Sequence, residues 1–342
     1  MFKSGTVVVL GAGASFEVGL PTGHELKDSI SALTRFKFEH GDFVSGDRSF
    51  FSELRRSDHF ATGRQIDLIT KACKKISDGI GFVSSVDNFL EIHAKDADIQ
   101  VCAKAAITYL IAKGERASRL YVDPSNIHNR LSAASLKDTW YQELAHILFE
   151  KVDGESIAKA FDSVRFVSYN YDRCLEWFLY QSLTGLYAMD TNQASEILEG
   201  VSILHPYGDI GAPEWQRSPA DFFGSDISGS VVHASKRLLT YNEGGAPEVA
   251  CEVRAAVESA TTIVFLGFAF HPQNVELMRS QRKGKFSKVE NIFGTSFKLS
   301  ENDNHEVTTQ LGRAFGAPSG NVKLANMTCC EFLRRYKRTL SA

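Results

Sequence analysis

Three observations in this sequence predict an α/β fold built on a parallel sheet. Short apolar runs of strand length occur at residues 6–10, 165–168, 201–204 and 263–266. Each of these runs is followed by glycine or polar residues, and most of them lead into apolar residues at helical spacing. Residues 67–164 instead show helical spacing with almost no strand signal. The sequence therefore predicts a Rossmann-type parallel sheet with a large helical insertion after the first strand.

Length and composition favour one large domain. With 342 residues, 43% of them hydrophobic, the chain can bury a substantial core. We expect the sheet to be formed by residues 1–36 and 160–342, with the insertion at about 37–159. The formal net charge is −3 and the charges are spread along the chain, so neither nucleic acid nor an anionic membrane is the expected partner.

The sequence also disfavours two further classes of protein: membrane-spanning or exported proteins, and proteins with a zinc site or a disulfide scaffold. The apolar run at residues 7–10 is too short for a membrane span or a signal peptide, so a cytoplasmic location is expected. The six cysteines form no CxxC pair and no regular framework. Neither a zinc site nor a disulfide scaffold is therefore predicted, and no metal is expected.

The first strand ends in a turn that contains two glycines. Gly11 and Gly13 remove side chains where the chain bends into a helix, which lets the backbone approach a ligand closely. We expect Ser15 to cap that helix, and the helix amides to bind a pyrophosphate. Phe16 stands where a dehydrogenase fingerprint would have its third glycine. An ordinary strand–turn–helix corner with small residues for packing is the alternative interpretation.

The segment after this turn is predicted to enter a helix. Pro21 marks a turn and Thr22 is the expected N-cap residue. Residues 40–65 are polar and irregular, and are interpreted either as a lid over the site or as a surface loop. Further along, Ser85 is a possible helix cap, while Asp87 either contacts a ligand or is an ordinary polar residue at a helix start.

Polar residues follow the strand predicted at residues 165–168. Asn170 and Asp172 come after it, and a helix follows them. Ligands of open parallel sheets bind outside the carboxyl ends of the strands, where these residues and the Gly11 turn would lie. In the alternative interpretation, Asp172 only caps its helix and Asn170 only satisfies a turn.

The next two predicted strands carry similar signals. His205 ends the strand at residues 201–204 and precedes Gly208. A histidine there is either a catalyst or a packing residue. Gly267 ends the strand at residues 263–266, and Asn274 lies in the loop beyond it.

The remaining stretches carry weaker signals. Residues 211–247 read as a long excursion with one short helix, and residues 291–297 as a possible further strand. Residues 248–260 are predicted to form a helix. The basic run in the C-terminal helix at residues 331–340 is interpreted as a solvated face.

Four motifs at strand ends therefore follow one another in a fixed order. They are GAGAS at 11–15, YNYD at 169–172, LHPYG at 204–208 and FLGFAFHPQN at 265–274. This set resembles the sirtuin-like (silent information regulator 2-like) NAD-consuming family, in particular its bacterial branch that acts in anti-phage defence. GLPTG at 19–23 and SVDNFLE at 85–91 add to the resemblance.

The resemblance implies NAD as the substrate and assigns roles to individual residues. Asn170 would hold the ribose and the attacking water, and His205 would accept a proton, a role suited to a pKa near neutrality. The remaining residues implied to bind NAD are Gly11, Ala12, Gly13, Ser15, Pro21, Thr22, Asp172, Gly208, Gly267, Phe268 and Asn274. No metal is needed, because the nicotinamide leaving group is already cationic and requires no acid.

Departures from the family pattern refine the expected function. Pro206 and Tyr207 separate His205 from Gly208, the Asp-Phe-Arg loop is absent, and no four-cysteine zinc module exists. These differences favour an NAD hydrolase that releases nicotinamide and ADP-ribose over a protein deacylase. The resemblance further implies a toxic effector that depletes NAD when activated.

Such an effector is expected to form a homo-oligomer and to have a regulatory partner: a HerA-type ATPase, an Argonaute or a nucleotide-signal enzyme. Two alternatives remain open. One is a non-catalytic sensor of an ADP-ribose-like nucleotide, and the other is an ADP-ribosyl or deacyl transferase.

Overall fold

A computed structural model describes most of the chain. The described residues are 1–61, 65–123, 125, 129–211, 223–224, 231–239, 247–279 and 288–342. Most of the excursion expected at residues 211–247 lies outside this part. Its described portion contains a short helix at Val231–Ser235.

In the described part of the chain, six parallel strands form the central sheet, in the spatial order β5-β4-β1-β6-β7-β8 of the strands defined next. Their bounds are β1 (Thr6–Leu10), β4 (Val164–Ser168), β5 (Ile203–Leu204), β6 (Thr262–Leu266), β7 (Asn291–Thr295) and β8 (Val322–Ala325). Thr6 pairs with Val164 on one side and with Thr262 on the other, so β1 lies in the middle of the sheet. This is the strand order of the doubly wound fold, in which the chain reverses direction across the sheet after its third strand. The predicted Rossmann-type parallel sheet is confirmed.

Helices cover both faces of this sheet. Their bounds are α1 (Ala12–Phe16), α2 (Gly23–Leu33), α3 (Arg48–Arg56), α4 (Gln65–Gly79), α5 (Val86–Ile92), α6 (Ala97–Ala117), α7 (Trp140–Phe149), α8 (Cys174–Leu186), α9 (Thr191–Glu199), α10 (Val231–Ser235), α11 (Pro247–Ser259), α12 (Pro272–Met278), α13 (Glu301–Phe315) and α14 (Cys329–Leu340). None of the helices in the described part of the chain is long and apolar enough to cross a membrane.

Alternation along β1 divides the core into two layers. Val7 and Val9 belong to a core shared with helices α2–α6 and α10–α13. Val8 and Leu10 point to the opposite face, which is packed against α7, α8, α9 and α14. Because successive strand residues point to opposite faces, an uninterrupted apolar run is what a strand buried between two helical layers requires.

The connection between β1 and β4 is mainly helical, as expected, and the described residues within 67–164 contain no sheet strand before β4. A separate antiparallel hairpin, β2 (Lys37–Glu39) with β3 (Asp42–Ser45), precedes α3. The interpretation of residues 40–65 as irregular is therefore wrong. Phe50 and Leu54 of α3 are fully buried, so the polar composition concealed an amphipathic helix. Residues 62–64 lie outside the described part.

The remaining differences concern short strands. The expected strand at residues 201–204 is reduced to Ile203–Leu204, which pairs only with β4 at the edge of the sheet. The strand expected near 291–297 is confirmed as β7, but β8 was not predicted. With four residues, β8 is too short to give a clear periodic signal.

Candidate functional site

The parallel sheet brings the predicted strand-end motifs together at the carboxyl ends of its strands, which form one edge of the sheet. The Asn170 side-chain amide, after β4, donates to the Gly11 carbonyl at 3.1 Å. The Gly13 amide, after β1, donates to the Gly267 carbonyl at 3.0 Å. His205, after β5, lies 3.2 Å from the Asn170 carbonyl through its Nδ1 atom. The expected proximity of these motifs is therefore seen in the structure.

The two glycine turns pack directly against each other. A Cβ atom on Gly11 would lie 2.6 Å from the Gly267 carbonyl oxygen, and one on Gly13 would lie 2.8 Å from the Gly267 Cα. Gly267 itself has a φ of +59°, and a Cβ there would collide with the Ala14 backbone. Backbone packing is thus a sufficient reason for glycine at all three positions.

The amides of this turn are used mostly within the protein. Gly11 donates to the Leu266 carbonyl, and Gly13 to that of Gly267, both at 3.0 Å. Helix α1 is only five residues long. Direct binding of a pyrophosphate by the Gly11 and Gly13 amides is therefore not available in this conformation, whereas Ala12 between them is partly exposed.

The expectation that Ser15 caps the first helix is wrong. The helix begins at Ala12 because Gly11 already has the extended backbone of an N-cap, and Ser15 lies inside the helix. Its buried hydroxyl accepts a hydrogen bond from the Asn170 amide nitrogen at 3.0 Å. Ser15 therefore orients Asn170 and does not face solvent.

Asn170 combines a fixed orientation with an unpartnered acceptor. Its side-chain nitrogen donates to the Gly11 carbonyl and to the Ser15 hydroxyl, which uses both of its N–H groups. Its Oδ1 atom is buried and has no hydrogen-bond partner among the described residues. A buried acceptor without a partner costs roughly 1–3 kcal/mol, so native proteins keep few of them and often at functional positions.

Asp172 is the second polar residue predicted after β4. Its Oδ1 accepts from the Cys174 amide at 3.1 Å, but the N-cap of α8 is Arg173, so Asp172 lies one residue before the cap and the alternative interpretation of Asp172 as the cap is wrong. Burial raises the pKa of Asp172 to about 6, although hydrogen bonds from Ser15 and Cys174 act in the opposite direction. Around neutral pH, Asp172 is thus a buried carboxylate that takes up a proton in mildly acidic solution.

His205 has a partner that sequence reasoning missed. Its Nε2 atom lies 2.6 Å from Glu176 Oε1, and its Nδ1 atom lies 3.2 Å from the Asn170 carbonyl. Burial alone would lower the pKa of His205, but the Glu176 carboxylate outweighs it and raises the pKa to about 9. The expected pKa near neutrality is therefore wrong for this conformation. The available signal was that Glu176 is a lone charge within the apolar start of α8.

The loop expected to bind NAD beyond the first turn has a clear local structure. Thr22 is the N-cap of α2, with Glu25 completing a capping box, as predicted for Thr22. Pro21 lies beside α6, where a Cβ on Gly114 would be 3.5 Å from its ring. None of the hydrogen bonds among the described residues joins Thr22 to Asn170 or His205. The structure therefore does not bring Pro21 and Thr22 together with Asn170 and His205.

The predicted residues beyond β5 and β6 contribute mainly to packing. Gly208 has a φ of +70°, and a Cβ there would collide with the Arg237 carbonyl. Phe268 is buried edge-on against Tyr169, with ring centroids 5.1 Å apart. Asn274 accepts from the Tyr169 hydroxyl through its backbone oxygen at 2.9 Å. It therefore belongs to the contacts that hold α12 in place.

Two contacts join the helical insertion to the residues after β4. The Tyr171 hydroxyl donates to Asp87 of α5 at 2.6 Å. Burial raises the pKa of Asp87, with the hydrogen bond from Tyr171 acting against it. Glu115 of α6 is fully buried and accepts from the backbone and guanidinium of Arg173 at 3.0 Å. Sequence reasoning proposed Asp87 as a candidate and missed Glu115 altogether.

Comparisons with known proteins add no family to this description. A scan against protein-family models and a search of curated proteins both gave no match. Among the described residues, no group of three or more histidine, cysteine, aspartate or glutamate side chains could hold a metal ion. The geometry at the carboxyl ends of the strands is therefore the basis for a functional proposal.

Proposed function

We propose that this chain is an NAD hydrolase that binds NAD at the carboxyl ends of β1, β4 and β6 and releases nicotinamide and ADP-ribose. The strand order supports it, since doubly wound sheets bind dinucleotides where that order reverses, here between β1 and β6. The observation that carries the proposal is the buried, unpartnered Oδ1 atom of Asn170 beside this position.

The fixed orientation of Asn170 supports this proposal. Cleavage of the nicotinamide bond passes through an oxocarbenium-like state with a cationic leaving group, so positioning and electrostatics must supply most of the catalysis. Both N–H groups of Asn170 are held by Gly11 and Ser15, which fixes the direction of Oδ1. That oxygen would accept a hydrogen bond from a ribose hydroxyl or from the attacking water.

Asp172 would add electrostatic stabilisation. With a pKa of about 6, its buried carboxyl group is mostly ionised at neutral pH. A carboxylate in a low-dielectric site favours positive charge developing on the neighbouring ribose. The pyrophosphate would lie against Ala12, a partly exposed residue of the first turn.

The biological role in this proposal comes from the resemblance of the strand-end motifs. A chain of this kind would act as a toxic effector in anti-phage defence and deplete NAD when it is triggered. Control by a regulatory protein partner and assembly into a homo-oligomer belong to the same proposal.

One observation favours a second candidate, a nucleotide-binding module without catalysis. Both ring nitrogens of His205 are engaged by Glu176 and by the Asn170 carbonyl. The resting conformation therefore offers no free imidazole base, which a sensor of an ADP-ribose-like nucleotide would not need.

Nicotinamide release by the parent protein and by Asn170→Ala, under activating conditions, tests the proposal. Loss of the orienting amide should lower turnover by about 10² or more, the scale of losing one transition-state hydrogen bond in a preorganised site. The matched control is Asn321→Ala. The Asn321 side-chain amide also donates to a backbone carbonyl, that of Glu290 at 2.9 Å. This contact lies before β7 and β8, at the amino ends of the strands and away from the candidate site.

Binding of NAD and thermal unfolding are measured beside the rates for all three proteins. If Asn170→Ala hydrolyses NAD at the parental rate, the role assigned to Asn170 is wrong. A parent protein that binds NAD and releases no nicotinamide would instead support the binding module.

A further inference from the structure

A second polar contact after β4 and β5 that the sequence did not reveal is the pair formed by His205 and Glu176. The pair joins the end of β5 to the first turn of α8, across a distance of 2.6 Å. Its side chains are only 10% and 9% exposed. On its other side, His205 meets the backbone carbonyl of Asn170 at 3.2 Å. One imidazole ring therefore links Glu176 to Asn170.

We propose that the His205–Glu176 pair is a positioning device, in which His205 is a doubly protonated cation that holds Asn170 in place and is not the proton acceptor of the reaction. This inference rests on the proposed NAD hydrolase function.

The two partners of the ring decide its protonation. A neutral imidazole has one N–H donor and one acceptor nitrogen. Here a carbonyl oxygen faces Nδ1 and a carboxylate oxygen faces Nε2, and both of these atoms are acceptors. A neutral His205 would set a nitrogen lone pair against an oxygen lone pair, whereas the imidazolium donates to both partners.

Action as a base would require His205 to lose a proton first. The Nε2 proton would have to pass to Glu176 Oε1 and leave a buried neutral carboxyl group. The lone pair released on Nε2 would still point at Glu176 and not at a substrate. In this conformation, the ring therefore has no lone pair directed at a reacting group.

The surrounding charges favour the same state. Glu176 approaches from α8, and Asp209 from the loop after β5. Asp209 is itself paired with Arg237, at 3.1 Å. Although burial disfavours the imidazolium, the negative charges outweigh it and the pKa of His205 is raised to about 9. His205 should remain charged throughout the range from pH 6 to 8.

The pair also leaves acceptors for a ligand. The second oxygen of Glu176, Oε2, is buried and has no hydrogen-bond partner among the described residues, as is the case for Asn170 Oδ1. Both residues are bonded to the same ring. Each of these oxygens would be satisfied by a hydroxyl donor of a ligand, such as a ribose hydroxyl.

The pH dependence of nicotinamide release distinguishes a positioning cation from a base. A base with the ordinary histidine pKa of about 6.5 would give a roughly fourfold rise in rate from pH 6 to 8. We expect the parent to show no fourfold rise, but only the roughly twofold rise that ionisation of Asp172, with a pKa of about 6, would give between these pH values. In Glu176→Gln, the carboxylate that favours the imidazolium is gone, so the ratio of the rate at pH 8 to the rate at pH 6 should fall below the parental ratio.

Nuclear magnetic resonance of the histidine ring protons tests the pair without any turnover. In the parent, His205 should titrate above pH 8, and in Glu176→Gln it should titrate at lower pH. The side-chain amide signals of Asn170 should shift in Glu176→Gln if the pair positions this residue. Asp98→Asn is the matched control, because it also removes the carboxylate partner of a histidine, His59 at 2.8 Å, in a more exposed pair away from this site.

A His205 resonance that titrates near pH 6.5 in step with the rate would overturn the inference. Asn170 amide signals that are the same in Glu176→Gln and in the parent would also overturn it. A parent protein with a His205 titration above pH 8 and no nicotinamide release would retain the pair and refute the proposed hydrolase.

Discussion

Residues 169–173, which follow β4, alternate between two kinds of partner. Tyr169, Tyr171 and Arg173 form hydrogen bonds with α12, α5 and α6, respectively. Asn170 and Asp172 bond instead with residues of α1 and α8. This short segment thus both holds neighbouring helices, including α5 and α6 of the insertion, and forms the centre of the candidate site.

The two sets differ in how completely their polar atoms are paired. The Tyr171 hydroxyl meets a carboxylate at 2.6 Å, and the Tyr169 hydroxyl meets a carbonyl at 2.9 Å. Asn170, by contrast, retains a buried acceptor without a partner among the described residues. Paired groups stabilise a fold, and an unpaired one lowers its stability unless a ligand meets it. In the proposed function, this difference separates Tyr169 and Tyr171, which hold the fold, from Asn170, which would bind the ligand.

Among the changes that test this comparison, replacement of Glu115 is expected to have the largest effect on the free energy of unfolding. Glu115→Ala removes the fully buried carboxylate that accepts from the Arg173 backbone and guanidinium, and from the Gly224 amide at 3.1 Å. Removing one partner of a buried ion pair costs about 3–5 kcal/mol, because the other charge stays buried. Urea unfolding of the parent and the variant measures the loss.

Glu143→Ala is the matched control for this prediction. Glu143 also lies in a helix and is paired with an arginine, Arg334 at 3.0 Å, but the side chain of that arginine is 54% exposed. Pairs with an exposed partner contribute about 1 kcal/mol or less. Equal losses in the two variants would contradict the assignment of Arg173 and Glu115 to the attachment of the insertion.

A smaller effect is expected at Tyr171. Tyr171→Phe removes the hydroxyl that donates to Asp87, and a hydrogen bond to a charged group contributes about 2 kcal/mol. The free energy of unfolding should fall by about this amount, while nicotinamide release stays near the parental rate. Tyr187→Phe is the control, because its hydroxyl donates to a neutral carbonyl, that of Val152 at 3.0 Å.

The comparison would break down if Tyr171→Phe stopped nicotinamide release as completely as Asn170→Ala. The two neighbouring residues would then act as one unit, and their different partners would have no functional meaning.

The sequence was sufficient to predict that the strand-end motifs meet at the carboxyl ends of the strands. It was not sufficient to predict the carboxylates that pair with His205 and Arg173. Parallel strands end at the same edge, so polar residues after each strand of a predicted parallel sheet are expected to meet. Gly11, Asn170 and Gly267 meet in this way. Glu176 is 29 residues away from its partner His205 in the sequence, and Glu115 is 58 residues away from its partner Arg173. Local patterns carry no information about pairs at such separations.

Two local features were also predicted wrongly from the sequence: the start of the first helix and the structure of the segment that follows α2. Ser15 was expected at the start of a helix that in fact begins at Ala12, because Gly11 takes the N-cap conformation. The hairpin of β2 and β3 was missed because its strands are three and four residues long.

The smallest expected effect concerns the pH dependence of stability at Asp172. Burial raises the pKa of its folded-state carboxyl group from 3.8 to about 6. Between these values, the folded state holds a proton that the unfolded state has released. The contribution of Asp172 to stability is therefore present below pH 3.8 and is lost as the pH rises through about 6.

Asp172→Asn should remove this dependence, because asparagine keeps an acceptor for the Cys174 amide and does not titrate. From pH 5 to 6.5, the parent should lose about 1 kcal/mol more unfolding free energy than Asp172→Asn does, as follows from proton linkage. Urea unfolding at both pH values measures the difference. Other groups with raised pKa values, including Asp87, are present in both proteins, so their contributions cancel in the comparison. Parallel losses in the parent and the variant would mean that Asp172 is already ionised at pH 5. Its carboxylate would then belong with the fully satisfied residues of this loop and not with Asn170.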